Sequence, residues 1–476
     1  MIVRELHVPP GVLRQLAAQR PERYPVLFDS AAEGPLSRTS MLVAHPTGAL
    51  WLDAQGRLRT EGAVPPGVAP APGAGFLTAL QRWLAADRQP SPAFDTDLPF
   101  AGGWAVFLGY ELAAEVEPRL VLPRPPAALP WQAFALRVPC ALAHDKRSGK
   151  VLAIAEDGAT EALETVEGDA RDLARAGCGE GHNCSAGEVP APPAVARVVE
   201  EDPAVYLERV RRGKEYIRAG DIYQTNLSRP WRIELRARPD VGRLYERLCS
   251  VNPAPFAALA QWRGGALLSS SPERLARVAG RRIETRPIAG TRPRSRQPGR
   301  DALEMAALVA HPKERAEHIM LIDLERNDLG RVCEPGTVLV EELMSIESYA
   351  HVHHIVSNVT GMLRPEVTSI DALRAVFPGG TITGCPKFRC MQIIAELEGE
   401  GRGAYTGSLG LIGHNGSLDF NILIRTLTLV EGAVELRAGA GIVADSDPER
   451  ELEETRAKAR GLLAAFGEPV HAGAAA

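Results

Sequence analysis

The chain has 476 residues, 45% of them hydrophobic and 24% charged, with a formal net charge of −5. This is ordinary globular composition, long enough for about three domains at ~150 residues each. A balance so near neutral, with no lysine-rich tract interleaved with aromatics, excludes nucleic acid as the expected partner.

In chain order, residues 1–155 read as an α/β half. Short apolar runs at 25–28, 41–44 and 50–52 lie between turn signals and predict strands. Residues 75–87, GFLTALQRWLAAD, have helical periodicity. The glycine-rich run 100–110, FAGGWAVFLGY, predicts a buried strand with close backbone neighbours. Residues 133–143 and 151–155 predict a hairpin turning at 145–150. Residues 156–200, rich in Ala, Gly, Glu and Pro, read as a partly ordered connection. That stretch carries Cys178, His182 and Cys184, which lack the paired spacing of a four-ligand zinc site. The seven cysteines are scattered and odd in number, which suits a reducing compartment. The start of the chain, MIVRELHVPPG, lacks the apolar core of a signal peptide. No apolar run approaches the ~20 residues of a bilayer span. A cytoplasmic protein is expected, with no membrane partner.

Residues 201–470 are denser in pattern. Asp202-Pro203 opens a helix to Arg218, closed by Gly220. A strand at 222–227 follows, with further strands at 256–262, 265–270, 275–278 and 282–288. Helices are expected at 301–310, 312–325, 369–376 and 387–398. A meander over 407–413, 418–430 and 433–443 feeds a closing helix, which Asp447 caps and Pro448 begins. Strands and helices do not alternate strictly, so an α+β fold with antiparallel sheets is expected.

Five stretches could carry chemistry. In the closing helix, Glu451, Glu454 and Lys458 share a face at spacings of three and four. That face follows a turn where Gly439 and Gly441 let a ligand approach the backbone. In KERAEHIMLIDLERND, Glu314 and Glu317 lie three apart on an apolar helix, where an unpartnered carboxylate is costly. Glutamates from the two helices would repel unless a cation sat between them, and an all-carboxylate site suits Mg²⁺. In NILIRTLTLV, alternation puts Arg425 between Leu423 and Leu427 on a strand, and guanidinium is the natural fork for a carboxylate. HVHHIVS offers one histidine as a general acid or base. In FPGGTITGCPK, backbone amides and Lys387 ahead of a helix could hold an anion. Each stretch alone also has a bland reading: a wet helix face, a structural ion pair, a satisfied histidine, or a turn.

Taken in order, YQTNLS, SSSPER with ETRPIAGTRPR, EHIMLIDLERND, FPGGTITGCPK and AGAGIVADSDPERELEET resemble the chorismate-utilising enzymes. They are closest in kind to the aminating subunits of aminodeoxychorismate synthase and anthranilate synthase. The resemblance is close over about 201–465 and looser over 25–115. It implies two antiparallel sheets packed as a sandwich with helices outside. It implies Glu317 and Glu454 as Mg²⁺ ligands, supported by Glu314 and Glu451, and His354 as the family histidine. Arg425, Tyr405, Lys458 and the amides around Gly441 match the carboxylate anchors of chorismate, and Thr383 and Gly384 match the ring pocket.

Two positions bear on the reaction. Relatives that add water carry a lysine base where this chain has Gln224, and an amide cannot take a proton from water. Gln224 therefore implies ammonia as the nucleophile. Aminodeoxychorismate synthases often carry a nucleophilic lysine where this chain has Ala289, the anthranilate-type residue. Most motif positions imply 4-amino-4-deoxychorismate as product, and Ala289 implies anthranilate. No cysteine sits in a G-x-C-x-G elbow with a His-Glu pair downstream, so a separate glutamine amidotransferase subunit is expected to supply ammonia. Anthranilate-type subunits bind tryptophan near the segment matched here by Asp29, Ser30 and Ser40.

Overall fold

The computed structural model describes residues 1–467 except 33, 35, 69–73, 88–99, 101, 126–128, 178–188, 295–296, 311 and 349–351. Among the described residues, the strands form two antiparallel sheets, one of 12 strands and one of 11. The first runs from Ile2–Leu6 at one edge through Thr39–Ala44 and Val26–Asp29 to Phe256–Trp262 and Gly265–Ser271. It continues through Thr426–Val430, Ala433–Ile442 and Gln224–Leu235 to the far edge at Val195–Glu200. The second joins Val352–Met362 and Arg274–Ala279 to Ser408–Gly413, then to Gly103–Leu108 and Trp131–Val138.

Period-two alternation explains why the sheets stack. On Gly265–Ser271, Leu267 enters the cluster between the sheets with Phe107, Phe134 and Leu409. Its neighbours Ala266 and Leu268 enter the cluster under the outer helices, with Leu248 and Leu462. Val26 and Val43 face inward and Leu27 and Leu42 outward by the same rule. The result is the expected α+β sandwich with outer helices. Strands from the first 155 residues pair directly with later ones: Val26–Asp29 with Phe256–Trp262, and Gly103–Leu108 with Ser408–Gly413. The sheets therefore do not divide where the chain divides by composition.

Three expectations change. The run 133–143 is two strands in different sheets, Trp131–Val138 and Cys140–Asp145, parted at Pro139, which has no N–H for a ladder. The run 418–430 likewise splits into Leu418–Asn421 and Thr426–Val430, one in each sheet. Within 156–200, Thr160–Gly177 is a helix whose Leu163, Val166 and Ala170 are fully buried. Its Asp169 accepts hydrogen bonds from Arg23 at 2.5 Å and Tyr24 at 2.8 Å. Ala162, Leu173 and Ala174 extend that stripe against the same core, but alanine, glycine and acidic residues dilute it, so composition hid it. Cys178, His182 and Cys184 lie outside the described residues. No helix among the described residues is long and apolar enough to cross a membrane.

Candidate active site

The paired strands Gln224–Leu235 and Ala433–Ile442 form one wall. Asn226 stands opposite Gly441 and Ser228 opposite Gly439, so these residues and Gln224 share a face. Both glycines make room. A Cβ at Gly441 would lie 2.4 Å from the Gln224 amide nitrogen. A Cβ at Gly439 would lie 2.7 Å from the Tyr405 hydroxyl and 2.8 Å from Asn226 Oδ1. Tyr405 keeps its proton, because burial pushes the phenol up to about 12.

The loop between the helices Ser369–Val376 and Lys387–Glu398 meets the end of this wall, where Gly384–Cys385 pairs with Gln224–Thr225. Gly384 has φ of +134°, and a side chain there would press within 2.1 Å of the Gln224 carbonyl, so glycine is required. Thr383 is fully buried and donates to the Gly379 carbonyl at 2.9 Å. Its hydroxyl therefore fixes the loop's shape. Lys387, read as an anion holder, is committed elsewhere: its ammonium pairs with the buried Asp328 at 2.5 Å and donates to the Val376 carbonyl at 3.2 Å.

Arg425 is not a strand residue. It ends the crossing between the two sheets, with φ of +50°, and its carbonyl accepts from Ser270 N at 3.0 Å. Burial lowers its pKa, and the field of Glu273 raises it in part; a guanidinium remains charged regardless. Among the described residues Arg425 forms no ion pair, which leaves its fork available for an anion.

Sequence reasoning passed over Glu273 although it read SSSPER as a motif. Glu273 is buried, follows the strand Gly265–Ser271, and accepts from the Thr381 hydroxyl at 2.7 Å. Burial raises its carboxyl to about 7 against the opposing pull of Thr381, Arg425 and Lys458. A carboxyl that holds a proton near neutrality beside a cationic cluster is suited to general acid work. The signal was present: a carboxylate two residues after an apolar and serine-rich strand is expected to be buried or partnered.

His354 lies on Val352–Met362, where it pairs across from Thr291, next to the Ala289–Ile355 pair. Burial first, then the charge of Arg425, pushes its imidazole down to about 4, against a hydrogen bond to the Gly290 backbone. It is neutral at physiological pH. Gly290 sits at φ +61°, and a Cβ there would meet a Glu314 carboxylate oxygen at 2.5 Å, so this turn brings His354 and Glu314 close. His353 takes the bland role: its ring bonds Ser348 at 2.7 Å and Asp301 at 3.0 Å. His351 is outside the described residues.

The closing helix is Pro448–Leu463, and Asp447 caps it by accepting from Arg450 N at 3.0 Å. Lys458 bonds Glu454 at 2.8 Å and the Gly439 carbonyl at 2.9 Å, tying this helix to the wall. Glu451 is buried and Glu454 exposed. Glu314 and Glu317 are half-buried on the helix Pro312–Gly330. The four glutamates are thus two pairs on two helices. Among the described residues no three acidic, histidine or cysteine side chains converge as a metal cage. An all-oxygen donor set of this kind fits a hard cation that keeps waters and takes only one or two protein carboxylates, as Mg²⁺ does.

A second buried group went unread. Arg402 donates to Glu398 at 2.7 Å, to the Asn226 carbonyl at 2.7 Å and to the Ile382 carbonyl at 3.1 Å. Arg437 bonds Glu398 at 3.2 Å and Glu400 at 2.7 Å. This network locks the Gln224 strand to the 377–387 loop. A cavity of about 270 Å³ between the sheets, walled by Phe107, Trp131, Thr428 and Arg437, adjoins it. Of the candidate site residues only Tyr405 lines that cavity, so it neighbours the site and is not the site.

Residues 41–464 match a family model described as chorismate binding enzyme. The chain belongs to this family. It is 42% identical over 411 residues to anthranilate synthase component 1 of Streptomyces coelicolor, covering 82% of this chain and 77% of that protein. It is 47% identical over 254 residues to aminodeoxychorismate synthase component 1 of Bacillus subtilis, covering 53% and 56%. The crystal structure of anthranilate synthase component I from Streptococcus pneumoniae superposes with a TM-score of 0.76 at 29% identity, over 90% of this chain and 93% of that one. The fold, the family and a chorismate-directed chemistry follow for this family member.

Proposed function

We propose that the protein aminates chorismate to 4-amino-4-deoxychorismate, using ammonia made by a separate glutamine amidotransferase subunit. The observation that carries the reading is Gln224. It is 6% exposed, its side-chain amide lies over Gly441, and it presents a neutral amide where a water-adding enzyme needs a base.

Arg425, Lys458 and the Tyr405 hydroxyl bind the carboxylates of the substrate, whose two charges match these donors. Glu273 gives its proton to the departing ring hydroxyl, which leaves as water as the C–O bond breaks and the C–N bond forms. The Glu273 carboxylate then recovers a proton from the new ammonium nitrogen, so the sum is chorismate plus ammonia to aminated product plus water. Neutral His354, facing Arg425, orients the substrate without adding charge. Thr383 and Gly384 shape the ring pocket through the backbone. Glu317 and Glu454, backed by Glu314 and Glu451, would hold Mg²⁺, which supplies positive charge at the ring carboxylate and the leaving oxygen.

Anthranilate is the second reading. Ala289 supports it, since no amine stands there to attack the ring, and so do the anthranilate synthase names among the relatives. The order of YQTNLS and FPGGTITG supports the first. Tryptophan recognition is proposed for Asp29, Ser30 and Ser40. Asp29 there accepts from Arg14 and from Ser40, each at 2.7 Å.

Gln224→Lys tests the nucleophile. A lysine at this buried position is expected to yield isochorismate from chorismate, at the expense of amination, when products are resolved by chromatography. Unchanged amination with no hydroxylated product would remove Gln224 from the mechanism.

A further inference from the structure

The cavity of about 270 Å³ between the sheets is not used by the proposed reaction. Its size suits one ring: an apolar cavity of about 150 Å³ already takes benzene, and drug-sized ligands need about 300 Å³ or more. Phe107, Leu129, Trp131 and Leu436 give it carbon walls, and the Phe107 and Trp131 rings meet edge to face with centroids 4.9 Å apart. The cavity does not continue into the segment proposed for tryptophan. Asp29 and Ser40 lie on Val26–Asp29 and Thr39–Ala44, whereas Thr428 and Arg437 come from Thr426–Val430 and Ala433–Ile442. The strands Phe256–Trp262 and Gly265–Ser271 stand between them.

Three charged residues of the lining are already committed. Glu398 holds Arg402 at 2.7 Å and Arg437 at 3.2 Å, and Arg232 holds Glu435 at 3.2 Å. Two others remain available. Arg124 is exposed at the rim, and its guanidinium forms no ion pair or hydrogen bond among the described residues. Its carbonyl accepts from Gly401 N at 3.1 Å, which fixes its backbone beside the 402–404 part of the lining. From that part Arg402 N and Gly403 N donate to Glu111 Oε1 at 2.6 and 3.1 Å. Glu111 Oε2 has no partner among the described residues. Burial raises this carboxyl to about 7, so near neutrality it repels an anion little and can donate as well as accept. A free guanidinium suits a carboxylate, carbon walls suit a flat ring, and a polar group within suits an amine or hydroxyl on that ring.

We propose that this cavity is a second small-molecule site, which takes a single-ring aromatic carboxylate bearing an amine or hydroxyl, with the carboxylate on Arg124 and the ring substituent on Glu111. An aminobenzoate has this form. That an aminobenzoate lies downstream of the reaction rests on the amination reading above; the chemistry of the cavity does not. Tyr405 and Arg402 border both the cavity and the substrate wall, so the two sites adjoin while their carboxylate anchors, Arg124 and Arg425, differ.

Isothermal titration of the full chain with 4-aminobenzoate, in the absence of chorismate, tests this. One molecule should bind per chain. Aniline, which lacks the carboxylate, should bind about tenfold more weakly. Arg124→Gln should raise the 4-aminobenzoate Kd about tenfold, the worth of one charge-assisted bond. Arg425→Leu, which removes the proposed substrate anchor, should leave that Kd within twofold, and saturating chorismate should not displace the ligand. No binding to the unmodified chain, or an unchanged Kd in Arg124→Gln, would overturn the proposal. So would loss of binding in Arg425→Leu or on adding chorismate, because the acid would then sit at the substrate anchors. Arg124 is exposed, so its variant is expected to fold, and unchanged chorismate turnover with ammonium checks that it does. Failure of the unmodified chain to consume chorismate with ammonium would sink the amination reading and leave these Kd values standing.

Discussion

Glu273→Gln is expected to lower kcat by about 10²–10⁴-fold, the usual worth of a general acid, with little change in the chorismate KM. The amide keeps the hydrogen bond from Thr381 but has no proton to give. In the unmodified chain kcat should fall as pH rises through the Glu273 value of about 7, since only the protonated carboxyl serves. Folding raises this carboxyl from 4.5 to about 7, so between those values the folded state binds a proton that the unfolded chain has released. Its share of stability is therefore present below pH 4.5 and lost as pH rises to 7. Glu111, also raised to about 7 by burial, acts in the same direction. Glu273→Gln removes one such penalty and should melt no lower than the unmodified chain at pH 8. Lost activity with an unchanged or higher Tm separates catalysis from folding. A parallel loss of both would remove Glu273 from the mechanism.

Arg425→Leu should raise the chorismate KM strongly. Truncating one partner of a desolvated charge pair costs about 2–5 kcal/mol, roughly 30-fold to several thousand-fold in kcat/KM. The variant also has a second signature. Arg425 pulls the Glu273 carboxyl down, so its loss lets that carboxyl rise further, and the alkaline limb of kcat should move to higher pH. The same charge depresses His354, whose ring should become easier to protonate once Arg425 is gone. Leucine meets much the same left-handed backbone cost as arginine at φ +50°, so stability should change little. An unchanged KM would mean that the Arg425 guanidinium at the sheet crossing is not a substrate anchor.

Much of this was legible in the residues. Helix caps such as Asp447-Pro448 marked the closing helix directly, because a capping side chain and a proline leave few other conformations. The strand positions were legible because burial on both sides left long apolar runs. What the runs concealed was the change of sheet. Asn421 to Thr426 keeps an apolar pattern while the backbone leaves one sheet and enters the other, so Arg425 looked like a strand residue. Partnering was equally hidden. Lys387 and Lys458 both stand near a glycine-bearing turn, yet one is held by Asp328 and the other by Glu454 and a carbonyl, and only three-dimensional proximity decides which. The sequence allows Glu273 to be read as buried or partnered, but what burial does to it, and to Asn226, is environmental. One is a carboxyl that burial protonates and the other an amide that burial leaves unmet. The pairs Glu314 with Glu317 and Glu451 with Glu454 were legible as helix faces, whereas their place relative to each other was not.

The most direct measurement is the product formed by the pure chain with chorismate, Mg²⁺ and ammonium, followed with and without an added aminodeoxychorismate lyase. Chorismate should be consumed with ammonium but not with glutamine, and 4-aminobenzoate should appear only when the lyase is present. Anthranilate formed without the lyase would contradict the assigned product, and no consumption of chorismate would contradict the site.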